Sequence, residues 1–206
     1  MKKLIALLVV GAAIAAGSAV GAKPASVTIS LAQPTVTYGG TDTLSGTVSS
    51  KQAGEKVIVL AQANGDATFV PVATVDTTTG GAWTYTASPT IQTAYEAKWL
   101  TLTSQSVAVK VRPQLTLAKG SSTGNRGTFT VKATAARSFA GKFVLVQRLA
   151  ASGVVQLKKV VLGNDSSATF TIRVQPGKSR LRAVMPTSQT QPGYVAAQSA
   201  VLVVSR

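Results

Sequence analysis

The chain contains no cysteine and no histidine, and only six of its 206 residues are acidic. Without cysteine there are no disulfides, no thiolate metal sites and no cysteine nucleophile. Without histidine the chain lacks the commonest general base, the commonest zinc ligand and the serine-protease triad. The acids are scattered: Asp42, Glu55, Asp66, Asp76 and Glu96 in the first half, Asp165 alone in the second. None forms the closely spaced oxygen cluster that calcium requires, and the second half cannot supply a glycosidase carboxylate pair. Turn or surface roles suffice for all six. Lys178-Ser179 is the nearest approach to a Ser–Lys pair, and no Ser-x-x-Lys motif is present. The expectation is a protein without catalytic residues, metal or cofactor.

What remains is apolar, hydroxyl-rich and basic. Hydrophobic residues make up 45% of the chain, which argues against long disorder. Val and Thr, stiff at the β-carbon, suit a pleated surface. The formal net charge is +15, which favours anionic partners.

The N-terminus has the three-part layout of a secretory signal peptide. Lys2 and Lys3 precede an uncharged, mostly apolar run from Leu4 to Ala19, and Val20-Gly21-Ala22 fits a cleavage site ahead of Lys23-Pro24. Cleavage is expected after Ala22, giving residues 1–22 as signal peptide; the alternative is an uncleaved membrane anchor. There is no cysteine for lipidation, no Leu-Pro-x-Thr-Gly sorting motif and no second apolar span. A product outside the cell or in its envelope is expected, released or held non-covalently, with no transmembrane span after cleavage.

Beyond residue 22 the pattern has period two. Val27, Ile29 and Leu31 alternate with Thr28 and Ser30, Tyr95, Ala97 and Trp99 with Glu96 and Lys98, and Val107, Val109 and Val111 with Ala108 and Lys110. Each reads as a half-buried strand. Turn signals punctuate these runs: Gly39-Gly40, Asn64-Gly65-Asp66, Thr79-Gly80-Gly81, Ser152-Gly153, Gly163-Asn164-Asp165 and Pro176-Gly177. No stretch has a helical period.

The two halves repeat one another. Ala53-Gly54 recurs as Ala140-Gly141, and Val57 and Val59 as Val144 and Val146, all 87 residues on. Trp83 to Pro89 lies over Phe170 to Pro176 at the same offset; Tyr95-Glu96-Ala97 then answers Leu181-Arg182-Ala183 one residue out of step, and Gln105-Ser106 answers Gln198-Ser199 before the last strand. The expected boundary is near Arg112-Pro113, giving all-β domains at 26–112 and 113–206, each a two-sheet sandwich of about seven strands.

The motifs Tyr38-Gly39-Gly40, Leu44-Ser45-Gly46-Thr47-Val48, Ala53-Gly54 with Val57 and Val59, Gly81-Ala82-Trp83-Thr84-Tyr85 and Tyr95-Glu96-Ala97, with the closing run through Val111, resemble bacterial immunoglobulin-like or fibronectin type III-like repeats of secreted and surface proteins. Such repeats often carry arginine where this chain has Glu96 in the first copy and Arg182 in the second. The resemblance implies tandem immunoglobulin-like sandwiches with a spacer, adhesion or accessory role, or association with another surface protein.

Trp83, Tyr85, Tyr95 and Trp99 are candidates for a sugar platform. However, Phe170, Ile172, Leu181 and Met185 take their places in the second copy, an exchange that suits a core rather than a platform. Tyr38 and Tyr194, near turns, are the freer aromatics.

Charge is divided unequally. Residues 23–112 carry six basic and five acidic residues, a net +1; residues 113–206 carry thirteen basic and one acidic, a net +12. Arg180 and Arg182 share a strand face, and Arg148, Lys158, Lys159, Arg173 and Lys178 are expected on neighbouring strands or turns. These seven form a candidate surface for acidic polysaccharide, teichoic acid, lipopolysaccharide, DNA bound without sequence preference, or anionic lipid. A merely solubilising surface is the alternative. No nucleic-acid recognition motif is present, so sequence-specific reading is not expected.

Overall fold

The computed structural model describes residues 24–206; the expected signal peptide lies outside the described residues. Nearly every apolar run with period two becomes a strand. In the first half these are β1 (Ser30–Leu31), β2 (Thr35–Thr37), β3 (Asp42–Thr47), β4 (Lys56–Ala63), β5 (Val70–Asp76), β6 (Ala82–Ala87), β7 (Thr93–Trp99), β8 (Leu102–Thr103) and β9 (Val107–Arg112). The second half continues with β10 (Gln114–Thr123), β11 (Arg126–Thr134), β12 (Phe143–Ala150), β13 (Gly153–Val161), β14 (Ser167–Arg173), β15 (Lys178–Met185), the short helix α1 (Thr187–Thr190), β16 (Ala197–Gln198) and β17 (Leu202–Ser205).

Each half builds one small and one larger sheet. The first pairs β1-β3-β6 in one sheet and β2-β9-β7-β4-β5 in the other, with β8 beside β7. The second pairs β10-β11-β14 against β13-β12-β15, with β16 and β17 both on β15. Among the described residues no sheet draws strands from both sides of Pro113. Leu44, Trp83 and Ala87 from the small sheet and Val57, Val59, Ala97, Trp99, Val109 and Val111 from the larger are all buried. In the second half Phe129, Val131, Phe170 and Ile172 face Val144, Val146, Leu181, Ala183 and Met185. Phe129 and Phe170 stack with centroids 6.0 Å apart. Each large side chain buried this way contributes about 1.5–3 kcal/mol, the main cohesion in the absence of cross-links. Trp83, Tyr95 and Trp99 are core residues, as expected, and Tyr85 is partly buried against them.

The repeat extends to backbone detail. Gly54 and Gly141 both adopt positive φ, 81° and 74°. Their N–H groups donate to Thr77 O at 2.8 Å and Leu162 O at 2.9 Å. The β4–β5 ladder slips between Val59 and Leu60, and the β12–β13 ladder between Val146 and Gln147, the same step 87 residues on. Register nonetheless corrects part of the sequence alignment. Gly46 pairs with Trp83 and Val131 with Ala168, so β6 and β14 correspond at an offset of 85. Trp83 therefore answers Ala168, and Tyr85 answers Phe170. A shift of two preserves which face is buried, so period two alone could not detect it. The counterpart of Ser199 is Ser104, not Ser106. Ser104 Oγ accepts from Ala97 N–H at 2.9 Å, and Ser199 Oγ accepts from Ala183 N–H at 3.0 Å.

The copies differ most between these landmarks. Ala97 to Ser104 spans seven positions, whereas Ala183 to Ser199 spans sixteen. The longer segment holds α1 and Tyr194, and it joins the halves. Tyr194, expected to be a free aromatic, is 2% exposed. Its hydroxyl donates to Thr90 O at 2.8 Å and accepts from Ala136 N–H at 3.2 Å. Gly193 O accepts from Gln92 N–H, and Val195 N–H donates to Val111 O, each at 2.9 Å. A side chain at Gly193 would place its Cβ 2.4 Å from Ile91 Cδ1. Arg137 lies over the Phe139 and Tyr194 rings at 5.3 and 5.4 Å. It also donates to Thr190 O at 2.5 Å.

Two stability measurements test this packing. Gly46→Ala would bring a Cβ within 1.9 Å of Thr28 O and 2.8 Å of Trp83 Cε2. It should cost about 1–3 kcal/mol in urea unfolding. Gly54→Ala meets open space and pays only for its φ of +81°, about 1 kcal/mol. If Gly46→Ala proves no worse than Gly54→Ala, the close approach is wrong. Burial, with the neighbouring Tyr85 second, pushes the Tyr95 hydroxyl up to about 12. The folded state thus holds a proton that the unfolded chain loses near pH 10. Its stabilising contribution is complete below that pH and declines as pH rises from about 10 to 12. Tyr95→Phe should flatten the decline in urea midpoint over that interval.

Candidate functional site

Strand direction gathers the positive charge of the second half. β10 leaves Pro113 at the junction and runs outward to the Gly124-Asn125 turn; β12 runs outward to the turn closed by Ala150↔Gly153. β14 also ends there, and Lys178 at the start of β15 pairs with Ser205. Segments 119–126, 148–155, 172–180 and 203–206 therefore share the end remote from the junction. They carry Lys119, Arg126, Arg148, Arg173, Lys178, Arg180 and Arg206 and no acidic residue. Asp165 sits at the opposite end, where Ser167 donates to it from N–H at 3.1 Å and from Oγ at 2.6 Å. These bonds hold its carboxyl below the usual carboxylate range.

Of the seven residues expected to form a basic surface, Arg148, Arg173, Lys178 and Arg180 lie at this end: Lys178 and Arg180 on the outer face of the larger sheet, Arg173 on the small sheet, and Arg148 directed inward opposite Leu181. Arg182 lies beside them on the outer face of the larger sheet, donating from Nε to Gln147 Oε1 at 2.9 Å and from Nη1 to Gln198 Oε1 at 3.3 Å. Lys159 sits further toward the junction with its ammonium 4.0 Å from the Phe143 ring centroid. Lys158 does not join Lys159. It pairs with the fully buried Val146, so its stem starts on the inner side of the edge strand β13, and Nζ reaches Thr171 O on β14 at 3.4 Å. An inward-directed lysine of this kind closes a sheet edge against unwanted pairing. Consecutive strand residues face opposite ways, which is why adjacency in sequence misplaced it.

Lys119, Arg126 and Arg206 escaped the sequence reading. The β10–β11 hairpin through Gly124-Asn125, a turn signal of the kind used elsewhere, brings Arg126 opposite Thr123, and the β11–β14 pairing sets Arg126 opposite Arg173. Lys119, Arg126 and Arg206 line a cleft floored by Val174 and Val204. Arg148 and Arg173 line a second crevice, with Gln175 and Ser179 above Leu157, Ile172, Val174 and Leu181. Arg148 Nε is buried there without a partner. With the Asn125 amide oriented toward it, Arg173 donates to Asn125 Oδ1 from Nε at 3.0 Å and Nη2 at 3.1 Å. Ser179 is buried while Lys178 points outward, so the two do not face each other.

The first half shows what the same frame looks like without this decoration. Val59 pairs with Ala97 as Val146 pairs with Ala183, so Ala94 and Glu96 occupy the positions of Arg180 and Arg182. Three of its five acids are engaged locally. Asp42, buried rather than on the surface, accepts from the N–H groups of Gln33 and Thr43 at 2.8 and 2.9 Å. Glu55 accepts from Ser50, and Asp76 pairs with Lys56 at 2.5 Å. Tyr38 is half-buried against the core. Among the described residues there is no group of three acids that could hold a metal ion, and no helix is long and apolar enough to cross a membrane.

No family model matches this chain, and no curated protein matches it. Among solved structures it is similar to one described as "Crystal structure of tetra-tandem repeat in extending region of large adhesion protein", at 15% identity and a TM-score of 0.36. The match covers 88% of this chain and 49% of that one, so the chain spans about half its length. A likeness at this level assigns neither family nor activity.

Proposed function

We propose that this chain is a non-catalytic structural or adhesion module of the cell surface or extracellular space. In this reading two tandem immunoglobulin-like sandwiches hold a stiff, oriented body. In each half the first, second and fifth major strands form one sheet and the remainder the other, which differs from the constant-type immunoglobulin grouping in the fourth strand alone. The signal-like N-terminus supports export, and the engagement of Asp42, Glu55, Asp76 and Asp165 in local bonds supports a non-catalytic role. The observation that carries the reading is the junction, where Tyr194 ties Thr90 of one half to Ala136 of the other. Because the chain has no cysteine, a Thr78→Cys/Ala151→Cys pair can be spin-labelled cleanly. Pulsed electron resonance should give one narrow distance, broadened by Tyr194→Ala. A broad distribution with Tyr194 in place would defeat the proposed stiffness.

A second reading, polyanion binding through the basic half, is favoured by the seven cations at its free end. Binding to a heparin column should weaken steeply with salt. Arg173→Glu/Arg180→Glu should lower the eluting salt by roughly half, whereas Lys98→Glu/Lys110→Glu in the first half should change it little. Equal losses from both pairs would show that only total charge matters.

A further inference from the structure

The outer face of the larger sheet in the second half combines its charge with exposed aliphatic side chains. Register places Val154, Leu149, Arg180 and Val203 in one row across β13, β12, β15 and β17. At the usual strand spacing this row is about 14 Å long. Val154 and Val203 are 53% and 56% exposed. Arg182 and Lys178 flank the row at neighbouring positions of β15, and Lys119, Arg126, Arg173 and Arg206 continue the charge around the end. The corresponding row of the first half is Gln62, Ala94 and Ala108. The same ladder is built there from small or neutral residues, so pairing does not require the valines, the leucine or the arginine.

We propose that this face docks on an anionic lipid surface, with Val154, Leu149 and Val203 at the headgroup–acyl boundary and the arginines and lysines on lipid phosphates. The proposal rests on the polyanion reading and narrows it to one partner. Two features choose lipid over the other polyanions. The end segments and the row contain no Trp, Tyr or Phe, so they offer no platform for stacking bases. Exposed aliphatic groups gain nothing from a hydrated polymer, but they gain from a partner that presents hydrocarbon beneath its charge. Binding to such a surface draws on buried apolar area and on electrostatic attraction together, and this face supplies both.

The test uses the chain from Lys23 onward, because every described strand and buried side chain lies within 27–206 and the apolar Leu4–Ala19 run would itself bind lipid. Co-sedimentation is measured with phosphatidylcholine vesicles, with and without phosphatidylglycerol, and heparin retention is measured on the same proteins. Binding to the phosphatidylglycerol vesicles alone is expected. Val154→Ser/Val203→Ser, both at exposed positions, should weaken it about tenfold while leaving heparin retention and the unfolding midpoint unchanged. Arg180→Gln should weaken both. Heparin retention with no vesicle binding, an unaffected valine variant, or stronger binding to DNA than to vesicles would overturn the lipid proposal while the polyanion reading stands. Loss of both vesicle and heparin binding in the starting protein would overturn the two together.

Discussion

Burial of one face of each sheet is the constraint from which the rest of this molecule follows. With no cysteine for disulfides, the two sheets are held together chiefly by their apolar faces, so the strands send alternate side chains inward. Val57, Val59, Val144 and Val146 are fully buried for this reason. The same rule frees every other position to face solvent. A core in which Trp83 stands opposite small residues in one copy, and Phe129 stacks on Phe170 in the other, leaves the outer faces free to diverge. Glu96 and Arg182 occupy one site in two copies of one frame with opposite charge.

The joint between the copies follows from their one large difference in length. The segment between β15 and Ser199 is nine positions longer than its counterpart, and the extra chain is folded against the first half rather than left in solvent. A hydroxyl that is buried must find partners, and that of Tyr194 finds one in each half. Burial also raises its pKa above the ordinary tyrosine value, so it remains the neutral donor that the joint requires. Arg137 is withdrawn from the exposed charge by the same joint, because it packs on Phe139 and Tyr194 instead of facing an external anion.

Once one end of the second sandwich is engaged in the joint, its other end is the free one among the described residues, and the cations collect there. Their neighbours are aliphatic rather than aromatic or acidic, so positive charge and exposed apolar surface occur on one face. The first sandwich, docked by its own corresponding end, carries small neutral residues in the equivalent row.

The sequence by itself determined the all-β character, the duplication, the burial of Trp83, Tyr95 and Trp99 and the unequal division of charge. Each of these depends on local period or composition, which a chain carries without being folded. It did not determine the two-residue register shift of β6 against β14, because a slip of two keeps the same side chains inward. It grouped Lys158 and Lys159 in one candidate surface, although alternation sends them to opposite faces. It left Tyr194 free, because its partners Thr90 and Ala136 lie far away along the chain. Only the tertiary structure decided which cations meet, since Lys119, Arg126 and Arg206 join Arg173 and Arg180 through strand direction and hairpin closure rather than through sequence proximity.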